Sequence, residues 1–209
     1  MKTAHIIDYG MGNFFSLTQA LQHIGVTVTV CHQPKQLENA HCIVLPGVGA
    51  FGDSMHALAQ RGFIPAILSH VNNQKMLMGI CLGMHLLANE GHEFGSHKGL
   101  GLIPGRVQHL RHFNSISLKI PHMAWQMLYQ DSQGHSERVN DSSYYFMHSY
   151  AFACENQQDE VAYCWYNGLR ITAMVRKQNI YGLQFHPEKS GKSGLRLLNA
   201  LMTEGNYAL

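Results

Sequence analysis

The chain has 209 residues, 45% apolar and 13% charged, with a formal net charge of +2. That size and composition build a core without a disulfide or metal staple and exclude a disordered chain, and the balanced charge excludes a polyanion-binding surface. No run reaches the ~18 unbroken apolar residues of a membrane span, and Asp8 comes too early for a signal-peptide core. The five cysteines are odd in number and lack C-x-x-C spacing, which fits free thiols in a reducing compartment. The expectation is a cytoplasmic chain, 1–209 as a single domain, with no nucleic-acid or membrane partner.

In chain order, Thr3 to Asp8 reads as a strand ending in the turn Gly10-Met11-Gly12, followed by an amphipathic helix from Asn13 to Ile24 and a stop at Gly25. Val26 to Val30 and His41 to Leu45 are the next strands. Ser54 to His70 is helical in pattern, broken near Gly62 and Pro65. Lys75 to Ile80 is a fourth strand and Met84 to Glu90 a further helix. This alternation predicts a mostly parallel, doubly wound α/β sheet of flavodoxin-like type. From about Leu100 to Tyr181 the signals change to short strands: Arg106 to Leu110, Tyr144 to Met147, Val161 to Trp165 and Ile171 to Val175. They predict a β-rich antiparallel addition to the same domain. Ile180 to Phe185 is a final strand, and Gly191 to Met202 restores a helix.

Gly79-Ile80-Cys81-Leu82-Gly83 lies between a strand and a helix, the pattern of a nucleophile elbow. Such a turn brings the positions two before and two after the nucleophile nearly into contact, so both must be glycine. The following helix would aim its N-terminal N–H groups at the sulfur and lower its pKa. A thiolate also needs a base and an orienter for that base. His186-Pro187-Glu188 offers both: in an extended segment, residues two apart share a face, which lets Glu188 reach the far ring nitrogen of His186.

Residues 47 to 52 match G-x-G-x-x-G, but they follow the third strand, and no acid lies ~20 residues on, where Asn72 stands. A dinucleotide site is rejected in favour of an oxyanion wall built from N–H groups of Val48, Gly49 and Leu82. Gly191-Lys192-Ser193 lacks the first glycine of a phosphate loop. His109-x-x-His112 has nothing nearby to complete a zinc set, so no metal is expected.

These segments together resemble the class I (triad) glutamine amidotransferases. Ile7-Asp8-Tyr9-Gly10-Met11-Gly12-Asn13, the Pro46-Gly47-Val48-Gly49 loop, Tyr145-Phe146-Met147-His148-Ser149-Tyr150 and His186-Pro187-Glu188-Lys189-Ser190 are most similar to the glutaminase-subunit family of imidazole glycerol phosphate synthase. The resemblance spans nearly the whole chain. It implies hydrolysis of glutamine to glutamate, with ammonia channelled to a (β/α)8-barrel synthase subunit in a heterodimer of histidine biosynthesis. It implies Cys81 as nucleophile through a γ-glutamyl thioester, His186 as base and Glu188 as its orienter, with no cofactor and no metal. Gly47, Gly49, His85, His148, Ser149 and Tyr150 would bind glutamine, and Asn13, Met123, Trp125 and Lys189 would face the barrel. It also implies an isolated subunit that is nearly inactive until its partner's ligand favours a flipped oxyanion loop.

The chain departs from the family pattern at three positions. His85 replaces a glutamine that contacts substrate, Ala124 replaces a glycine and Gln126 an asparagine. These leave open a paralogue feeding ammonia to a synthase-like partner in surface-sugar modification, a non-catalytic interaction subunit, and a stand-alone cysteine hydrolase.

Overall fold

The computed structural model describes residues 2–12, 14–113, 118–132 and 135–204. Strand β1 (Thr3–Ile7) leads through the glycine turn to helix α1 (Phe15–His23), then β2 (Thr27–Cys31), β3 (Cys42–Leu45), α2 (Phe51–Gln60), α3 (Phe63–Asn72) and β4 (Met76–Ile80). Helix α1 ends in a Schellman motif. Val26 N–H donates to Leu21 O (3.0 Å) and Gly25 N–H to Gln22 O (2.9 Å), and Gly25 takes the required positive φ of 80°. The long helical pattern of residues 54–70 divides at Gly62, whose φ is +73°, while Pro65 sits in the first turn of α3, where its missing N–H costs nothing.

The helix expected from Met84 to Glu90 is only a single turn, α4 (Leu82–His85). The carbonyls that would have continued it are taken by a later segment. Leu86 O accepts from Leu100 N–H (2.8 Å), Leu87 O from Leu102 N–H (2.9 Å) and Ala88 O from Gly101 N–H (2.9 Å). The approach is so close that a Cβ on Gly99 would lie 2.2 Å from Ala88 O. The chain proceeds through β5 (Glu90–Gly91), β6 (His97–Lys98), β7 (Gly105–His109), β8 (His122–Ser132), β9 (His135–His148), β10 (Tyr150–Cys154), β11 (Glu160–Tyr166), β12 (Leu169–Lys177) and β13 (Ile180–Leu183), ending in α5 (Gly191–Glu204).

A nine-stranded sheet runs β2-β1-β3-β4-β13-β12-β11-β8-β9. The first five strands pair in parallel and the last four antiparallel, as an α/β sheet with a β-rich extension. Apolar runs such as Cys42-Ile43-Val44-Leu45 are buried throughout, as a parallel strand covered on both faces requires. On one face Leu17 and Leu21 of α1 and Leu197, Leu198 and Leu201 of α5 pack over Ile6, Val44 and Met78. On the other, Leu58 of α2 and Phe63 and Ile67 of α3 cover Ile7, Ile43 and Leu77. A second sheet, β10-β7-β5-β6, extends that side through Val107 and Phe152. No helix among the described residues is long and apolar enough to cross a membrane. The parallel strands thus deliver β3, β4 and β13 side by side, with their C-terminal ends at one edge, the usual place for a site in such sheets.

Candidate active site

Strand β4 runs directly into Cys81, whose φ of 54° and ψ of −111° are strained for a residue with a side chain. The two flanking glycines make the turn possible. A Cβ on Gly79 would lie 2.5 Å from Gly83 O, and one on Gly83 would lie 1.8 Å from Leu45 O. Because α4 is one turn long, it carries little of the macrodipole expected of a longer helix.

The partner for the sulfur is His186. Beyond β13 the chain leaves the sheet, and His186 N–H donates to Tyr145 O of β9 at 2.9 Å. Pro187–Lys189 then form a 3-10 turn, so Glu188 reaches His186 by curling back and not along the extended segment that the sequence suggested. The His186 Nδ1–H donates to Glu188 Oε1 at 2.8 Å, which leaves Nε2 for the Cys81 side chain. Burial disfavours charge on the imidazole. Hydrogen bonding to the Cys81 sulfur and the Glu188 carboxylate outweighs it and lifts the ring's pKa to about 10. The raised pKa makes His186 a base able to take the Cys81 proton.

Ser190 locks this turn in place. Its hydroxyl donates to His186 O (2.7 Å) and accepts from Tyr145 N–H (3.0 Å). The sequence reading gave Ser190 no role, although it follows the Pro-Glu-Lys run directly. Strand β9 also touches the nucleophile, with Met147 O 3.9 Å from Cys81 Sγ.

Cys81 and His186 open on a cleft of about 440 Å³ that also exposes Gly47, Val48, Gly49, Leu82, His85, His148, Ser149, Tyr150 and, at its rim, Lys189. Glu188 stands behind His186, with its side chain 6% exposed. The 47–49 loop is held from below, where Tyr9 donates to Pro46 O at 3.0 Å and leaves 2.6 Å for a Cβ at Gly47. Gly49 has a φ of +107°. Of the three N–H groups expected to form an oxyanion wall, that of Val48 is already committed, donating to Met11 O at 2.9 Å. His85 is buried and 2.7 Å from Gln184 Oε1, and burial pushes its pKa down to about 4, so it is neutral.

The cleft contains one acid that the sequence reading missed, Glu93. One of its oxygens accepts from Phe51 N–H at the start of α2 (2.8 Å), and burial raises its pKa. Only the fold brings the β5–β6 loop to this edge, so no local motif marked Glu93. Gly52, part of the glycine run, makes room for the His97 ring at the start of β6, 2.7 Å from where a Cβ would sit.

Two of the residues expected on a partner face, Met123 and Trp125, lie on the β8–β9 hairpin. Met123 pairs with Met147 and Trp125 with Tyr145 across the strands, and Met123 and Trp125 are 58% and 54% exposed. Lys189 is exposed close by. Asn13 lies outside the described residues. His109, from the histidine pair considered for zinc, instead packs edge-on against Tyr150 at 5.0 Å. Among the described residues no cluster of His, Cys, Asp or Glu could hold a metal ion.

Residues 5–202 match the family model for glutamine amidotransferase class-I. The chain belongs to the class-I glutamine amidotransferases. Among similar members of this family is the imidazole glycerol phosphate synthase subunit HisH of Bacillus velezensis, 44% identical over 197 residues and covering 92% of each chain. The HisH of Chlorobium chlorochromatii is 40% identical over 195 residues, covering 92% of this amidotransferase and 96% of its relative. Among solved structures, that of PurLQS from Thermotoga maritima superposes with a TM-score of 0.71 at 20% identity, covering 94% of this chain and 95% of that one, which bears on the fold alone.

Proposed function

We propose that this amidotransferase is the glutaminase subunit of an imidazole glycerol phosphate synthase, releasing ammonia from glutamine for a (β/α)8-barrel partner subunit in histidine biosynthesis. The similarity to HisH subunits over more than nine-tenths of the chain supports the assignment. The Cys81–His186–Glu188 arrangement, with its 2.8 Å carboxylate–imidazole hydrogen bond at the base of the cleft, carries the chemistry.

His186 Nε2 takes the Cys81 thiol proton as the sulfur attacks the side-chain carboxamide carbon of glutamine and forms a C–S bond. The carbonyl π electrons move to oxygen, giving a tetrahedral oxyanion. The imidazolium so formed delivers that proton to the nitrogen as the C–N bond breaks, and ammonia leaves a γ-glutamyl thioester. The neutral imidazole then takes a proton from water, whose oxygen attacks the thioester, and returns that proton to the sulfur as the C–S bond breaks and glutamate is released. Glu188 holds the ring in the tautomer that makes both transfers possible and stabilises its charged form.

The backbone of His148, Ser149 and Tyr150 holds the amino-acid end of glutamine, with Gly47, Gly49 and His85 along the carboxamide. The Glu93 carboxylate suits the substrate's ammonium group. The oxyanion receives Gly49 and Leu82 N–H donors. Val48 joins them only after giving up its bond to Met11 O, a step that glycine on both sides permits. The barrel docks on Met123, Trp125, Lys189 and Asn13, and its ligand shifts the loop toward that flipped state.

The test is reconstitution with the histidine-pathway barrel subunit from the same genome. Glutamine-dependent formation of imidazole glycerol phosphate, with little glutamine turnover by the subunit alone, is the expected result. Vigorous glutaminase activity without a partner would refute the gating. Glutamine hydrolysis with a different synthase-like protein, and none with this barrel, would refute the pathway assignment.

A further inference from the structure

Strands β8 and β9 carry two different layers of side chains. Outward, Met123 and Trp125 pair with Met147 and Tyr145 on the face assigned to the partner. Inward, His122 pairs with His148, Ala124 with Phe146 and Gln126 with Tyr144. Three polar side chains of the inner layer are linked in series. His148 Nδ1 lies 2.7 Å from Tyr150 O, His148 Nε2 lies 2.9 Å from His122 Nδ1, and His122 Nε2 lies 3.4 Å from Gln126 Nε2.

The Tyr150 carbonyl sets the direction of the whole series. A carbonyl only accepts, so His148 carries its proton on Nδ1. Burial keeps both rings neutral at pH 7 and puts His122 at about 4. His148 Nε2 is therefore bare and must receive Nδ1–H from His122. His122 Nε2 is in turn bare and must receive an N–H, which fixes the Gln126 amide with its nitrogen toward the ring. The His122 ring cannot swing away, being stacked between Phe146 (5.1 Å) and Tyr166 (4.0 Å).

We propose that Gln126, His122 and His148 form a one-way hydrogen-bond relay from behind the partner face to the Tyr150 carbonyl, making Gln126 and His122 positioning residues for the backbone that holds glutamine. The inference rests on the amidotransferase reading of the cleft. His122 and His148 are buried and Gln126 half-buried, and the pairing of each ring fixes that of the next, so a displacement of β8 at Gln126 reaches the substrate-holding segment through two rigid rings. Gln126 and His122 lie four residues apart on one face of β8, and the glutamine side chain comes within 3.4 Å of His122 Nε2.

The assembled complex with its barrel subunit supplies the test, through two independent readouts. Nitrogen-15 NMR of the imidazoles reads the tautomers directly: His122 and His148 should both be Nδ1–H in the wild type. Gln126→Glu, which can only accept, should move the His122 proton to Nε2 or charge the ring. In steady-state assays, Gln126→Leu and His122→Phe keep volume and stacking but break the relay. Each should raise the glutamine KM roughly three- to tenfold while synthesis from ammonium salts, reporting an intact partner, is unchanged. An Nε2–H tautomer on either ring of the wild type, or an unchanged glutamine KM in Gln126→Leu, would overturn the relay. If the wild-type complex fails to use glutamine at all, the amidotransferase reading falls, and the tautomers alone then decide the relay.

Discussion

The Leu45 carbonyl at the end of β3 occupies the space that a side chain on Gly83 would need, 1.8 Å from the ideal Cβ position. The nucleophile elbow is thus wedged between two strands, and the strain at Cys81 is maintained by this contact and by that of Gly79 with Gly83 O. Gly83→Ala should destabilise the chain by roughly 1–3 kcal/mol, the usual cost of overpacking, and should abolish glutamine hydrolysis through displacement of Cys81. Urea unfolding and a glutaminase assay check both effects. Full activity in Gly83→Ala would mean that the elbow does not need this close approach.

Cys81→Ala should leave no measurable glutamine-dependent synthesis in the complex, while synthesis from added ammonium salts continues, because the second reaction belongs to the partner. Parallel assays with the two nitrogen donors read this directly. Loss of both activities would place Cys81 in assembly and not in chemistry.

The raised pKa of His186 has a pH signature. Its pKa is about 10 in the folded chain against ~6.5 unfolded. Its contribution to stability is therefore complete below pH ~6.5 and lost as pH rises toward 10. Glu188→Gln removes one of the two groups that lift the ring, so the alkaline decline in urea midpoint should flatten. Glutamine-dependent kcat/KM should fall by roughly 10⁴, the size of the loss when a triad's orienting carboxylate is replaced by its amide.

Buried neutral histidines give the opposite slope on the acid side. His85 and His122 are held at about 4 and His148 well below its usual value, each chiefly by burial. Between pH ~6.5 and 4 the unfolded chain binds protons that these rings refuse, so stability falls as pH falls, by up to about 4 kcal/mol per pH unit. His85→Gln should reduce that slope by about a third, read from urea midpoints measured across this range.

Much of this was legible in the sequence, for identifiable reasons. The parallel strands are short apolar runs between glycine turns, and the Gly79–Gly83 spacing has a single steric meaning. Strand β8 was missed because its pattern is inverted: Met123 and Trp125 face out while His122 and Gln126 face in. The end of α4 depends on carbonyls claimed by residues 100–102, and Glu93 reaches the cleft through the fold of the β5–β6 loop. Neither is encoded locally. The turn at Pro187–Lys189 placed Glu188 against His186 by a geometry that an extended reading of His-Pro-Glu did not foresee.

Treating the assembled complex with an electrophilic glutamine analogue and mapping the adduct by mass spectrometry interrogates the sulfur itself. One equivalent should attach to Cys81, none to Cys31, Cys42, Cys154 or Cys164, with glutamine use lost in step and ammonium-dependent synthesis retained. Glutamine hydrolysis that persists with Cys81 fully modified would contradict the assignment of this thiol as the nucleophile.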